Sequence, residues 1–529
     1  MQRISCALAL GALSYFCTAQ AARAQEQQHP PRSDEARGGE ANNNKPEATQ
    51  PIPPEKSSVT HHDLNLDGKA LHYTATAGTL LIRDGEDDHA YGSMFSVSYT
   101  LDGADPNTRP VTFLYNGGPG SATIWLHMGS VGPVRVVTSS PNASGPAPYQ
   151  IVPNDDSLLD KTDLVFVDAP LTGYSKAVGK GTDKDFRGVD QDIKAFDKFV
   201  QRWVTVNQRW NSPKYLFGES YGTPRSCGLA DALEGDGISL NGVVLLSSIL
   251  NYNVMAPGLD EDYIGNLPSY AAIGWYHNKI QNKPADVKAY LQEVRTFARG
   301  DYAEALREGD QISPEKFDAI AAKLAGYTGL SVQYVKDAKL RISPTRFRKE
   351  LMRDEGDILG RYDARFEGTD VDNAGENPGY DPSDTGIEGA FIAAFHDYLV
   401  RELKYDTTDT YHIHTESQVP WDMHHVMPGQ RGFGGGGGGR ASLPYLAGDL
   451  ADAIRKNPKL KVLSANGMFD LATPFFVTEY DVAHMMLTPD LAKNISFTYY
   501  PAGHMVYLNV QALKEFKHDL ANFYASTGH

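Results

Sequence analysis

Short runs that are almost wholly apolar alternate along this chain with longer stretches in which apolar residues recur every three or four positions. Val111–Tyr115 and residues 164–168 have the first pattern, and each runs into a loop containing glycine or proline, so both are read as strands. Residues 189–206 have the second: Ile193, Phe196, Val200, Trp203 and Val204 fall on one face of a helix. Residues 215–217, Gly242–Leu246 and residues 461–463 supply further strands. A closing helix carries Val510, Leu513, Phe516, Leu520 and Phe523 along one stripe. Strands that are apolar on both faces are buried parallel strands, and their alternation with helices predicts an α/β protein with a mostly parallel, doubly wound sheet.

Residues 265–440 break this rhythm. They are charged, helical in texture at 286–307 and 314–325, and end in six consecutive glycines at 434–439. No internal repeat is present. The stretch reads as a helical cap inserted into the core, which divides the fold into core segments 58–264 and 441–529 with a cap at 265–440. The glycine run reads as either a hinge for the cap or a flexible loop.

The ends of the chain differ again. Residues 1–24 have the parts of a secretory signal: Arg3, an apolar run over residues 4–16, and Ala22-Arg23-Ala24 as a small-x-small cleavage site. The apolar run is too short to span ~30 Å of hydrocarbon, so export to the periplasm or the medium is expected rather than anchoring. Residues 25–57, rich in Gln, Pro, Glu, Asn and Ser, read as a disordered linker. Cys6 and Cys17 would leave with the signal, and Cys227 alone excludes an intramolecular disulfide in the mature chain. The 66 acidic against 49 basic residues, with no long basic run, argue against a nucleic-acid or anionic-membrane partner.

The chemistry enters with Gly218-Glu219-Ser220-Tyr221-Gly222, which follows strand 215–217 and precedes a helix with Pro224 in its first turn. This is the Gly-x-Ser-x-Gly nucleophile elbow of the α/β-hydrolase fold, with Ser220 held on a sharp strand-to-helix turn. A serine hydroxyl needs a base, and the base needs a carboxylate to orient it. In this fold the chain order is serine, acid, histidine. Asp470 in the loop after strand 461–463 and His504 after the strand-like Ile495–Tyr500 satisfy that order. The oxyanion of an acyl-transfer intermediate needs amide donors, and the N–H groups of Tyr221 and of Gly118, in the loop Asn116-Gly117-Gly118-Pro119-Gly120, are expected to supply them.

Together these segments resemble the serine carboxypeptidase family, peptidase family S10. The matching stretches are residues 116–120 with Val131-Gly132-Pro133 behind them, 217–222, 466–475 and 503–505; most of 105–260 and 440–525 is covered. The resemblance implies hydrolysis of C-terminal peptide bonds, with Asn116 and Glu219 holding the substrate's terminal carboxylate. A second glutamate usual before the Gly-Pro pair is Ser130 here, a usual tryptophan is Leu114 and a usual cysteine is Ser121. A carboxyl group bonds a carboxylate only while protonated, and a paired carboxyl helps to keep that proton. Loss of the pair predicts weaker discrimination for free C-termini and an optimum nearer neutral pH.

The pairs His61-His62, His412 with His414, and His424-His425 lack the spacing and companions of metal motifs, so neither metal nor cofactor is expected. The partner expected is a peptide. An esterase or acyltransferase using the same triad is the alternative, selected by activity on small esters with none on peptides. A non-catalytic binding protein is a further alternative, selected by failure of Ser220 to react with a fluorophosphonate.

Overall fold

The computed structural model describes residues 49–428 and 443–528. The expected signal segment, residues 25–48 of the expected linker and the glycine run lie outside the described residues. The body is built on a ten-stranded sheet. Its main strands are β1 (Ser57–Leu66), β2 (Lys69–Asp84), β3 (His89–Leu101), β4 (Val111–Tyr115), β5 (Asp163–Val167), β6 (Lys214–Glu219), β7 (Gly242–Leu246), β8 (Lys461–Gly467) and β9 (Ile495–Tyr500). They lie in the order β1-β2-β3-β5-β4-β6-β7-β8-β9, and a two-residue strand at Lys176–Ala177 pairs with β3. Every pair from β5 onward is parallel, whereas β1, β2, β3 and β5 are joined antiparallel. This is the α/β-hydrolase arrangement expected from the alternation of strands and helices.

The inner strands β4, β5, β6 and β7 are buried at every position, as their mainly apolar runs require. One face is covered by α1 (Ile124–Gly129), a helix at Glu388–Arg401 and the final helix Val510–Ser526. The other is covered by α2 (Val189–Val206), α3 (Gly222–Gly235) and a helix at Ala447–Lys456. On α2, Phe196 and Trp203 meet Tyr115 and Phe113 of the sheet edge-on, at ring separations of 4.9 and 5.4 Å.

Three features differ from the sequence reading. The antiparallel ribbon β1 to β3 was not expected; in β1 exposed positions alternate with covered ones, a period-two signal carried over much of its length by polar residues such as Thr60 and His62. Residues 49–57, read as the end of the linker, lie against the fold: Gln50 N donates to Gly179 O, and Glu55 accepts from Leu81 N. Within the expected cap, residues 411–425 form a strap rather than helix. Ala122 N donates to Ile413 O, Thr415 N to Gly120 O and Val189 N to Asp422 O, so this stretch is stitched to loops of the core.

The helices between residues 261 and 350 have their own apolar cluster, which Met468, Phe469, Leu471, Phe475 and Phe476 complete from either side of Asp470. Core loop and insertion are thus packed into one unit at that acid. Among the described residues no helix is long and apolar enough to cross a membrane.

Candidate active site

Parallel pairing brings the loops of the four motifs to one end of the sheet. Tyr115 lies opposite Gly218, Glu219 opposite Leu246, and Gly467 opposite Tyr500. The loops that follow β4, β6, β8 and β9 therefore leave from the carboxyl ends of neighbouring strands, where open α/β sheets place their ligands.

Ser220 stands between β6 and α3 with φ of 59°, the left-handed region that costs a non-glycine residue energy. Its amide is held by Leu246 O at 3.0 Å, and its carbonyl by Thr223 N at 2.8 Å. The turn closes so tightly that a Cβ on Gly218 would stand 2.0 Å from Gly222 O, so the elbow needs glycine there.

Asp470 and His504 are buried together, at 0% and 2% exposure. Oδ1 of Asp470 accepts from Ala472 N at 2.7 Å and Thr473 N at 3.0 Å; Oδ2 lies 2.7 Å from Thr473 Oγ1 and 2.7 Å from His504 Nδ1. A carboxylate oxygen accepts, so Nδ1 carries the imidazole proton and Nε2 is left to take one. Burial pulls the imidazole pKa down, but Asp470, as neighbouring charge and as acceptor, together with Glu219, holds it above its ordinary value. The backbone fixes the ring as well: His504 N donates to Tyr362 O at 2.6 Å, and Ser247 Oγ donates to His504 O at 2.6 Å. A Cβ on Gly503 would stand 2.4 Å from Tyr362 O, which explains the glycine before the histidine.

Ser220, His504, Gly118 and Tyr221 line one cavity of about 260 Å³. None of the hydrogen bonds among the described residues joins Ser220 Oγ to His504 Nε2; in enzymes without substrate such bonds are commonly long and tighten on binding. Among the described residues neither the Gly118 nor the Tyr221 amide donates to a protein acceptor. Tyr221 is braced by Trp421 of the strap, edge-on at 5.3 Å, and its side of α3 by a buried ion pair. In that pair Arg225 Nε and Nη2 reach Asp192 at 2.6 and 3.1 Å, while Nη1 donates to Asn116 O at 2.7 Å.

Asn116 and Glu219 also meet. Asn116 Nδ2 donates to Glu219 Oε1 at 2.9 Å, and Asn116 Oδ1 accepts from Leu126 N at 2.9 Å. Glu219 is 2% exposed, and the Tyr507 hydroxyl lies near enough to it to oppose the effect of burial. Burial raises the Glu219 carboxyl to about 7, opposed by the charge of His504. Ser130 does not take part: its Oγ donates to Leu126 O at 2.5 Å. The proton-retaining effect ascribed to a second carboxyl is here supplied chiefly by burial, with the charge of Asp470 adding to it.

Sequence reasoning missed Thr473, which braces Asp470, and the groups that the insertion adds to the cavity, Arg361, Tyr362 and Asp384; His414 of the strap, singled out only as one of the paired histidines, lines the cavity as well. Thr473 lies inside a recognised motif; the others carry no local signal. His425 of the paired histidines lies between Asp190 at 2.6 Å and Asp449 at 3.0 Å, away from the catalytic cavity. A larger hollow of about 850 Å³, lined by Arg295, Tyr499 and Lys514, contains neither Ser220 nor His504.

A strained serine, a buried acid–histidine pair and free amides at the carboxyl ends of a parallel sheet define the class as an α/β-hydrolase. Residues 73–245 match the family model described as serine carboxypeptidase, which bears out the resemblance carried by the motifs. No curated protein matches the sequence. Among solved structures, the chain is similar to Kex1(delta)p, a prohormone-processing carboxypeptidase from Saccharomyces cerevisiae, at 16% identity and TM-score 0.48, with 85% of this chain and 91% of that chain covered. It is also similar to a proline iminopeptidase from Mycobacterium smegmatis, at 13% identity and TM-score 0.34, with 85% and 98% covered.

Proposed function

We propose that the protein is a serine-type carboxypeptidase that works through an acyl-enzyme on Ser220. The observation that carries this reading is His504, held through Nδ1 by the buried Asp470, lining one cavity with the strained Ser220. The serine carboxypeptidase match over residues 73–245 supports it.

In the reaction, Ser220 Oγ attacks the carbonyl carbon of the last peptide bond while its proton passes to His504 Nε2. The amides of Gly118 and Tyr221 stabilise the oxyanion. Collapse breaks the C–N bond, His504 returns the proton to the departing amino group, and the same base then activates water to hydrolyse the ester. Asn116 and protonated Glu219 hold the terminal carboxylate. That role needs pH below the Glu219 value of about 7, so recognition of free acids weakens as pH rises through it.

Ser130, turned onto Leu126 O where a second carboxyl would serve recognition, favours one further reading, an esterase or acyltransferase on the same triad. A panel of peptides and small esters, run with the wild-type protein and Ser220→Ala, tests both. Release of single C-terminal residues that disappears in Ser220→Ala supports the carboxypeptidase; turnover of esters alone selects the alternative.

A further inference from the structure

The insertion brings a cation into the catalytic cavity. Arg361 lines it together with Ser220 and His504, and its backbone is tied to both triad loops: Leu471 N donates to Arg361 O at 3.1 Å, and the next residue, Tyr362, accepts from His504 N. The guanidinium lies over the Tyr362 ring at 5.3 Å, and that ring is 5.2 Å from the His504 ring. Its position relative to the reacting centre is thereby set by the loops that hold the acid and the base.

The charge is not spent on a neighbour. Asp381 accepts from the Arg361 backbone amide at 3.0 Å and from Ser383 N and Oγ at 3.1 and 2.6 Å, and it faces Arg348 at 3.7 Å. Among the described residues no carboxylate comes within ion-pair distance of the Arg361 guanidinium. Asp384 faces the same cavity without coming within ion-pair distance of Arg361; burial, with Asp381 and Glu388, raises its carboxyl against the pull of His414 and Arg361. Guanidinium is always charged and presents paired donors matched to the two oxygens of a carboxylate.

We propose that Arg361 is a specificity-determining residue that pairs with a carboxylate of the substrate, either the free C-terminus or an acidic side chain beside the scissile bond. The proposal rests on the hydrolase reading of the cavity and adds to it a permanent positive charge from the insertion. Asn116 and Glu219 offer a neutral site that fails once Glu219 ionises.

Binding tests this apart from turnover. In the Ser220→Ala background, calorimetry at pH 7 compares an acylated dipeptide as free acid and as amide, and free acids ending in Leu and in Glu. Arg361→Gln and Arg361→Lys are then added. Because the guanidinium is exposed, a discounted effect of about fivefold is expected: Arg361→Gln lowers the acid-over-amide ratio by that factor with amide affinity unchanged, and Arg361→Lys keeps part of it. Loss of a glutamate-over-leucine ratio instead, with the acid-over-amide ratio intact, assigns the partner to the side chain. The proposal is overturned if neither ratio moves by about twofold, or if all ligands weaken alike. Labelling of Ser220 by a fluorophosphonate in the otherwise wild-type protein reports on the hydrolase reading separately.

Discussion

Asp470→Asn is the perturbation whose consequence the geometry fixes most closely. Oδ1 accepts from two backbone amides, Ala472 N and Thr473 N, and an amide NH2 cannot face two donors. The asparagine oxygen must therefore stay where Oδ1 is, which aims Nδ2 at His504 Nδ1. A donor in that place forces the imidazole proton onto Nε2, so the atom facing the serine can no longer accept, and the charge that stabilises the imidazolium is gone as well. Together these losses are expected to lower kcat by about 10⁴, equivalent to about 5.5 kcal/mol of transition-state stabilisation. The fold should persist, because the replacement is isosteric and its backbone contacts remain. The assay is steady-state peptide hydrolysis with circular dichroism as the folding control. A folded variant that loses less than about tenfold would refute the tautomer argument and with it the role given to Asp470.

Three other outcomes are expected. Arg225→Met strips the partner from Asp192, which is 2% exposed, and should cost about 3–5 kcal/mol in urea unfolding; an effect under about 1 kcal/mol would show the pair to be dispensable. His425 is pulled down by burial but raised overall to about 9 by Asp190 and Asp449, so its stabilisation is complete below its unfolded value near 6.5 and is lost as pH rises through about 9. The urea midpoint should accordingly fall more between pH 7 and 9.5 in the wild type than in His425→Gln, and parallel curves would contradict the assignment. Because Glu219 ionises near 7, KM for free-acid peptides should climb above that pH while KM for amidated peptides stays level, and an equal rise for both would remove Glu219 from carboxylate recognition.

The parallel half of the sheet was legible because its strands are buried on both faces, and the signal is the mainly apolar run itself, as in Val111–Tyr115 and Gly242–Leu246. The ribbon β1 to β3 was not legible: β1 is largely exposed, and register in such strands is set by pairing with β2 rather than by a local apolar excess. The triad candidates could be read because the elbow's glycines and the order of motifs are local signatures, and the structure brings Ser220, Asp470 and His504 to one end of the sheet. Arg361 could not be read. Its place in the cavity depends on backbone bonds from Leu471 and His504, more than a hundred residues away, to a loop whose own sequence looks like any charged surface segment. The strap at 411–425 was hidden for the same reason, since its partners are carbonyls and amides of distant loops.

The most direct test of the account is mass spectrometry of an unblocked peptide incubated with the wild-type protein and with Ser220→Ala. The account predicts a ladder of products shortened one residue at a time from the C-terminus, absent with the variant. Cleavage at internal bonds, or a ladder that persists without the Ser220 hydroxyl, would contradict it.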